Sequence, residues 1–230
     1  LLNSPGLELQ PARSLQLSLG NGCATISVQF GKPDQLAVLN NDGIANLVNW
    51  KTSPEVGPSL VIDKAKIAVL DFSSDGELIA AGSAQGDVQL WKTATGSPDR
   101  SFHVGQPITA INFTTEGDKL LIATKTKQLI AWDLQTRAAS YTAQLEDQGT
   151  QVIANGKLIA IGQRDGRLIV FDQRSGEQVL QWSAHAAPIL RIWWEADGSL
   201  VTASFAGEVV RWRLTDLRRE LDQLGLNWEE

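Results

Sequence analysis

The chain has 230 residues, 43% of them hydrophobic and 20% charged, and carries a formal net charge of −6. That composition is globular, and the length suits one large all-β domain or two ordinary ones. The acidic balance argues against a nucleic acid or an anionic membrane surface as partner, because both reward a basic protein.

The chain opens with Leu1-Leu-Asn-Ser-Pro-Gly6, which lacks the basic and long apolar regions of a signal peptide. No run of about 18 apolar residues follows, so no membrane insertion is expected. The sequence contains no methionine at all and reads as a piece of a longer chain or a processed product. Its one cysteine, Cys23, excludes an internal disulfide framework and reads as a small core residue.

A lone strand pattern, Ser14-Leu-Gln-Leu-Ser18, comes first. After it the chain repeats. Each unit ends in an apolar run closed by an aromatic: Trp50, Trp91, Trp132, Phe171 and Trp212, at intervals of 41, 41, 39 and 41 residues. The unit is clearest from Ile67 to Lys92. Ile67-Ala-Val-Leu-Asp-Phe72, Leu78-Ile-Ala-Ala81 and Asp87-Val-Gln-Leu-Trp91 are short strands, separated by turns at Asp75-Gly76 and Gln85-Gly86. Both turns supply a glycine that tolerates positive φ, as tight hairpins require. Two consecutive hairpins make a three-stranded meander.

The repeats span about 23–62, 67–103, 108–143, 150–182 and 188–214. A fourth, more polar strand fits each gap, at Ser59–Ile62, Arg100–His103, Ser140–Ala143 and Gln178–Trp182. The first two strands of each unit are apolar throughout, which predicts burial on both faces. Stacking four-stranded sheets radially provides that cover and leaves only short edges exposed. After Leu214 the pattern changes. Leu217, Leu221 and Leu224 share one helical face, with Thr215 or Asp216 as N-cap and Gly225 as C-cap. The segment 215–230 is therefore expected to be a short amphipathic helix and tail that packs on the sheets.

Units of about 40–45 residues ending in a Trp-Asp-like pair resemble the WD40 repeat. Trp132-Asp133 is the literal pair, Phe171-Asp172 is a near copy, and His185 stands where the family has its upstream histidine. The resemblance covers about residues 13–214 and implies an all-β β-propeller of five visible four-stranded blades, with domain bounds of 1–214 and the helix at 215–230. The lone strand 14–18 would then complete the last blade. A closed five-bladed ring and an open arc of a seven-bladed one both fit. The family often links its histidine, a Ser or Thr, a hairpin Asp and the Trp by hydrogen bonds. No unit here spells the whole set: the fifth offers His185, Ser204 and Trp212, with Ala206 in place of the Asp, and the second has Gln85. The C-terminal Leu-Gly-Leu-x-Trp resembles the tails of WD40 regions in large bacterial signalling proteins, some fused to Ser/Thr kinases, which points to a larger cytoplasmic signalling chain.

Little in the sequence suggests catalysis. There are two histidines, His103 and His185, and no HExxH, CxxC pair or phosphate-binding loop. Gly82-Ser83-Ala84-Gln85-Gly86 lacks the spacing of a nucleophile elbow. Asp71 is the main acid on the innermost strands, short of the converging pair that a glycosidase needs. Catalytic, cofactor and metal residues are therefore expected to be none. Binding surfaces fit better. The second hairpins of units three and four carry Lys125, Lys127, Gln128, Arg164 and Arg167, a basic patch suited to an acidic peptide or a phosphate group, and Phe205 is an exposed-turn aromatic suited to anchoring a protein partner. The leading expectation is a non-catalytic protein-interaction scaffold. The alternative is a ligand- or glycan-binding propeller, a lectin or sensor, which predicts a pocket repeated between blades.

Overall fold

The computed structural model of the chain describes residues 25–30, 35–49, 56–62 and 65–214. Nineteen strands form five antiparallel meanders in chain order. Sheet 1 holds β1 (Thr25–Phe30), β2 (Gln35–Asn40), β3 (Ala45–Asn49) and β4 (Val56–Leu60). Sheet 2 holds β5 (Ile67–Phe72), β6 (Leu78–Ser83), β7 (Asp87–Lys92) and β8 (Pro98–His103). Sheet 3 holds β9 (Ile108–Phe113), β10 (Lys119–Thr124), β11 (Gln128–Asp133) and β12 (Ala138–Gln144). Sheet 4 holds β13 (Gly149–Asn155), β14 (Leu158–Gln163), β15 (Arg167–Asp172) and β16 (Gln178–Ser183). Sheet 5 has three described strands, β17 (Ile189–Trp194), β18 (Leu200–Ser204) and β19 (Val209–Trp212). The all-β expectation holds for the described residues. Cys23, Trp50, the turn at 31–34, the strand pattern at 14–18 and the helical pattern at 215–230 lie outside them.

The first strands sit side by side in sequence order. β5 packs against β1, β9 against β5 and β6, β13 against β9 and β10, and β17 against β13 and β14. One apolar cluster fills each junction. Between sheets 1 and 2, Leu39, Leu47 and Leu60 meet Ile67, Ile79 and Trp91. Between sheets 2 and 3, Val88 and Leu90 meet Ile108, Phe113 and Leu120. Leu121 and Leu129 meet Ile159, Ile169 and Phe171 at the next junction, and Leu168 meets Ile189, Ile192 and Leu200 at the last. Each fully buried Leu or Ile contributes roughly 2 kcal/mol of transfer free energy.

These junctions explain the spacing of about 41 residues. The aromatic near the end of each third strand packs into the junction with the preceding sheet: Trp91, Trp132, Phe171 and Trp212 each join the cluster on that side. Trp132 also stacks on Phe102 of the preceding sheet, with ring centroids 4.2 Å apart and planes within 3°. Trp212 meets Trp182 edge-on at 5.4 Å. A bulge recurs one residue into every first strand, as between Ile67 and Val69 or Ile189 and Arg191. It increases the local twist at the same place in each sheet.

One expectation is corrected here. The strands buried on both faces are the second and, in sheets 1 to 4, the third, rather than the first and second. β10 and β14 are buried along nearly their whole length, and β15 is buried through its middle. The first strands alternate with exposed positions, as in β5 and β17. In sheets 2 to 4 the middle strands have a neighbouring sheet on either side, whereas β5, β9, β13 and β17 border a shared cavity.

Candidate functional site

The second hairpins of the sheets form one continuous rim. The turns of sheets 1 to 4 each take a hydrogen bond from the chain leading into the next sheet: Ile67 N donates to Gly43 O, Val104 N to Gly86 O, Leu145 N to Lys127 O, and His185 N to Gly166 O. Each of the last three turns also donates to the entry of its own first strand, Lys125 N to Pro107 O, Arg164 N to Gln148 O and Phe205 N to Pro188 O. A buried polar residue ends each second strand, and in sheets 1 to 3 it closes the turn from inside. Asn40 Oδ1 accepts from Asp42 N and Ile44 N. Ser83 Oγ accepts from Gln85 N and Asp87 N and donates to Asp87 Oδ2, so its hydroxyl is fully engaged and is no nucleophile. Thr124 Oγ1 accepts from Gln128 N, and Gln163 Nε2 donates to Asp147 O.

This shared backbone frame presents different side chains in each sheet. Lys125 and Arg164 are exposed, and neither forms an ion pair among the described residues. Lys127 Nζ donates to Glu146 O at 2.9 Å and lies 3.7 Å from Asp147 Oδ1. The Arg167 guanidinium pairs with Glu146 and, at 3.2 Å, with Asp165. The segment between sheets 3 and 4 thus sets carboxylates against Lys127 and Arg167. Gln128 is half-buried beside them. Phe205 stands apart on sheet 5, 75% exposed.

The first strands border a central cavity of about 650 Å³, lined by residues such as Asp71, Thr109, Asn112, Thr150, Gln151, Arg191 and Trp193. Most of its polar groups staple one sheet to the next. Asp71 Oδ2 accepts from Asn112 Nδ2 and Phe113 N, both at 2.9 Å. Asn112 Oδ1 accepts from Ala154 N, and Gln151 Oε1 from Ile192 N at 2.7 Å. Thr109 donates to Gly149 O and Thr150 to Ile189 O. Asp71 is buried and takes part in this belt. Of the Trp193-Trp194 pair, Trp194 joins the core and Trp193 faces the cavity, 42% exposed.

The fifth sheet contains a histidine network that its sequence concealed. His185 Nε2 pairs with Thr202 Oγ1 at 2.7 Å, the Trp212 indole donates to the same oxygen at 2.9 Å, and His185 Nδ1 lies 3.1 Å from Glu208 Oε2. Thr202 therefore takes the place expected of Ser204, and Glu208 supplies the carboxylate that Ala206 lacks. In sheet 2 the exposed His103 pairs with Asp87 at 2.9 Å, so Asp87 supplies the acid missing at Gln85. The aspartates of the Trp-Asp-like pairs have another duty. Asp133 Oδ1 accepts from Gln135 N and Thr136 N, and Asp172 Oδ1 from Arg174 N and Ser175 N. The Thr136 and Ser175 amides hold these carboxyls below the usual carboxylate range. Among the described residues no group of three His, Cys, Asp or Glu side chains could hold a metal ion.

A family model described as outer membrane protein assembly factor BamB, PQQ_2, matches residues 74–216, well over half the chain. The chain belongs to this family. Its curated relatives are WD-repeat proteins at about 25% identity. Eukaryotic translation initiation factor 3 subunit I of Emericella nidulans is 25% identical over 135 residues, covering 52% of this chain and 40% of the relative. WD repeat-containing protein SL1-17 of Schistosoma mansoni is 27% identical over 130 residues, covering 56% and 42%. SEC12-like protein 1 of Arabidopsis thaliana is 27% identical over 184 residues, covering 74% and 44%. The chain thus spans about two-fifths of the length of these relatives. All three come from eukaryotes, so the comparisons lend no support to a bacterial signalling context.

Proposed function

We propose that the chain is a non-catalytic protein-interaction scaffold whose stacked sheets are the blades of a propeller. The observation that carries this reading is the uniform frame of the rim: equivalent turns, closed by equivalent backbone hydrogen bonds, display unlike side chains. A rigid frame with variable turns is how loops are held for recognition. The WD-repeat relatives support the same class of function. In this proposal the strand at 14–18 completes the fifth blade and closes the ring, the segment 215–230 packs against it as a helix, and the protein works in the cytoplasm.

The partner is a protein or peptide that presents acidic groups to Lys125, Lys127, Gln128, Arg164 and Arg167 and an apolar contact to Phe205. Lys125 and Arg164 carry most of the attraction, because Lys127 and Arg167 are already paired. The lectin or sensor reading is weaker. It calls for a repeated pocket, yet the equivalent cavity positions Asp71, Asn112, Ile153 and Trp193 pass from acid to amide to aliphatic to aromatic. Capture of binding proteins by wild type and by a Lys125/Lys127/Arg164/Arg167 alanine variant tests the proposal. Loss of specific partners supports it, and an identical set of partners overturns the assignment of the patch.

A further inference from the structure

Sheet 3 breaks a rule that its neighbours keep. In sheets 2 and 4 the turn after the third strand reaches a left-handed residue that is glycine: Gly96 at φ +67 and Gly176 at φ +73. Each glycine lies against the fourth strand of the preceding sheet. A Cβ on Gly96 would collide with Pro58, and one on Gly176 with the Tyr141 ring. In sheet 3 the equivalent residue is Arg137, at φ +58. A non-glycine residue here costs about 1–2 kcal/mol. Strain of this kind is a pointer to function when the surroundings supply a reason for it.

They do. The residue of the preceding sheet that matches Pro58 and Tyr141 in register is Arg100, opposite Leu90. Of the three junctions where this turn is described, the one without the glycine is therefore the one that brings two arginines together. They line a cavity of about 200 Å³ between sheets 2 and 3, with Asp99, Phe102, Trp132 and Leu134. Arg100 is engaged: its Nε bonds Asp99 at 2.6 Å and its NH1 donates to Leu134 O at 2.9 Å. The Arg137 guanidinium has no side-chain or carbonyl partner among the described residues. The stacked rings of Phe102 and Trp132 form an apolar wall.

We infer that this cavity is a binding site for the carboxylate side chain of a partner protein. The inference rests on the scaffold reading above but concerns a different face of the molecule from the hairpin rim. The site carries one net positive charge, two guanidinium groups less Asp99, which a single carboxylate neutralises and a doubly charged phosphate exceeds. A guanidinium binds a carboxylate through paired hydrogen bonds. The volume falls short of the roughly 300 Å³ at which small-molecule pockets begin, so it accepts the end of a side chain rather than a whole ligand. The aromatic wall suits the methylene stem of a glutamate.

The test is a titration of the full chain with glutarate, inorganic phosphate and the uncharged diamide of glutarate, followed by NMR at the Trp132 indole. That signal is assigned by its loss in Trp132→Phe. Glutarate is expected to give a saturable shift that weakens with salt, phosphate to bind at least several-fold more weakly, and the diamide to give no shift. Arg137→Gln removes the charge and is expected to weaken glutarate at least tenfold. Arg137→Gly relieves the strained φ, so it is expected to abolish binding while raising the urea midpoint. No glutarate shift at Trp132, an unchanged affinity in Arg137→Gln, tighter binding of phosphate, or a lowered midpoint in Arg137→Gly overturns the inference. The titration uses no partner, so its failure is distinct from failure of the capture experiment at the rim.

Discussion

Replacing Gly166 by alanine isolates the contact between one rim turn and the connection to the next sheet. Gly166 sits at φ +86, and an added Cβ would fall far inside van der Waals contact of His185 O and 2.9 Å from Ala187 O. Gly198 is the control. It has φ +78, yet a Cβ there meets nothing within 4 Å. Both substitutions incur the left-handed backbone cost of about 1–2 kcal/mol. Gly166→Ala must also push the connection outward, which strains or breaks the bonds that Ala184 N and His185 N make to Gly166 O at 3.1 and 3.0 Å. Each such bond is worth about 1 kcal/mol, and overpacking adds roughly 1–3 kcal/mol. Gly198→Ala is therefore expected to cost about 1–2 kcal/mol and Gly166→Ala about 3–5 kcal/mol in urea denaturation. Equal losses would refute the claim that the turns clamp the inter-sheet connections.

Other outcomes follow from the same geometry. Asn112→Ala removes a donor from buried Asp71 and leaves the Ala154 amide without its acceptor, at a cost of about 2–3 kcal/mol, and hydrogen exchange at Ala154 should accelerate; unchanged protection would dispose of the stapling role. The single tyrosine, Tyr141, is pushed up to about 12, first by burial and then by nearby Asp172. Its native state favours the neutral phenol, so this contribution is complete below about pH 10 and drains away as pH rises towards 12. Tyrosinate absorbance should reach its midpoint well above that of the urea-unfolded chain, and coincident midpoints would contradict the burial. Asp133, Asp172 and Asp197 are lowered, chiefly by the backbone amides of Thr136, Ser175 and Ser199. Their contribution is present above the ordinary value of 3.8 and is lost as pH falls through their folded values. Urea midpoints should hold from about pH 7 to 5 and drop below about pH 4; a flat profile into that range would count against these caps.

The strand framework was legible in the sequence because its causes are local. Glycine at Gly76, Gly86 and Gly166 announces the hairpins, and the recurring aromatic marks the junction that each third strand fills. What stayed hidden depends on register and on segments that pass one another. Thr202 and Glu208 replace the expected Ser204 and hairpin Asp, because the bonding direction of the His185 ring is set by packing and not by spacing. The pairing of Lys127 and Arg167 is hidden because Glu146 and Asp147 belong to a connection between repeats, outside any motif. Arg100 and Arg137 are 37 positions apart, and only the stacking of sheet 3 on sheet 2 brings them to one cavity. The first strands seemed wholly buried because an apolar run does not reveal a central cavity on one side of it.

Small-angle scattering of the 230-residue chain tests the propeller most directly. A closed ring is compact, and a compact chain of this length has a radius of gyration of about 17 Å with a single sharp peak in its distance distribution. That result is the one predicted. A monodisperse, elongated particle with a radius of gyration well above about 20 Å would contradict the closed frame on which the rim and its display of loops depend.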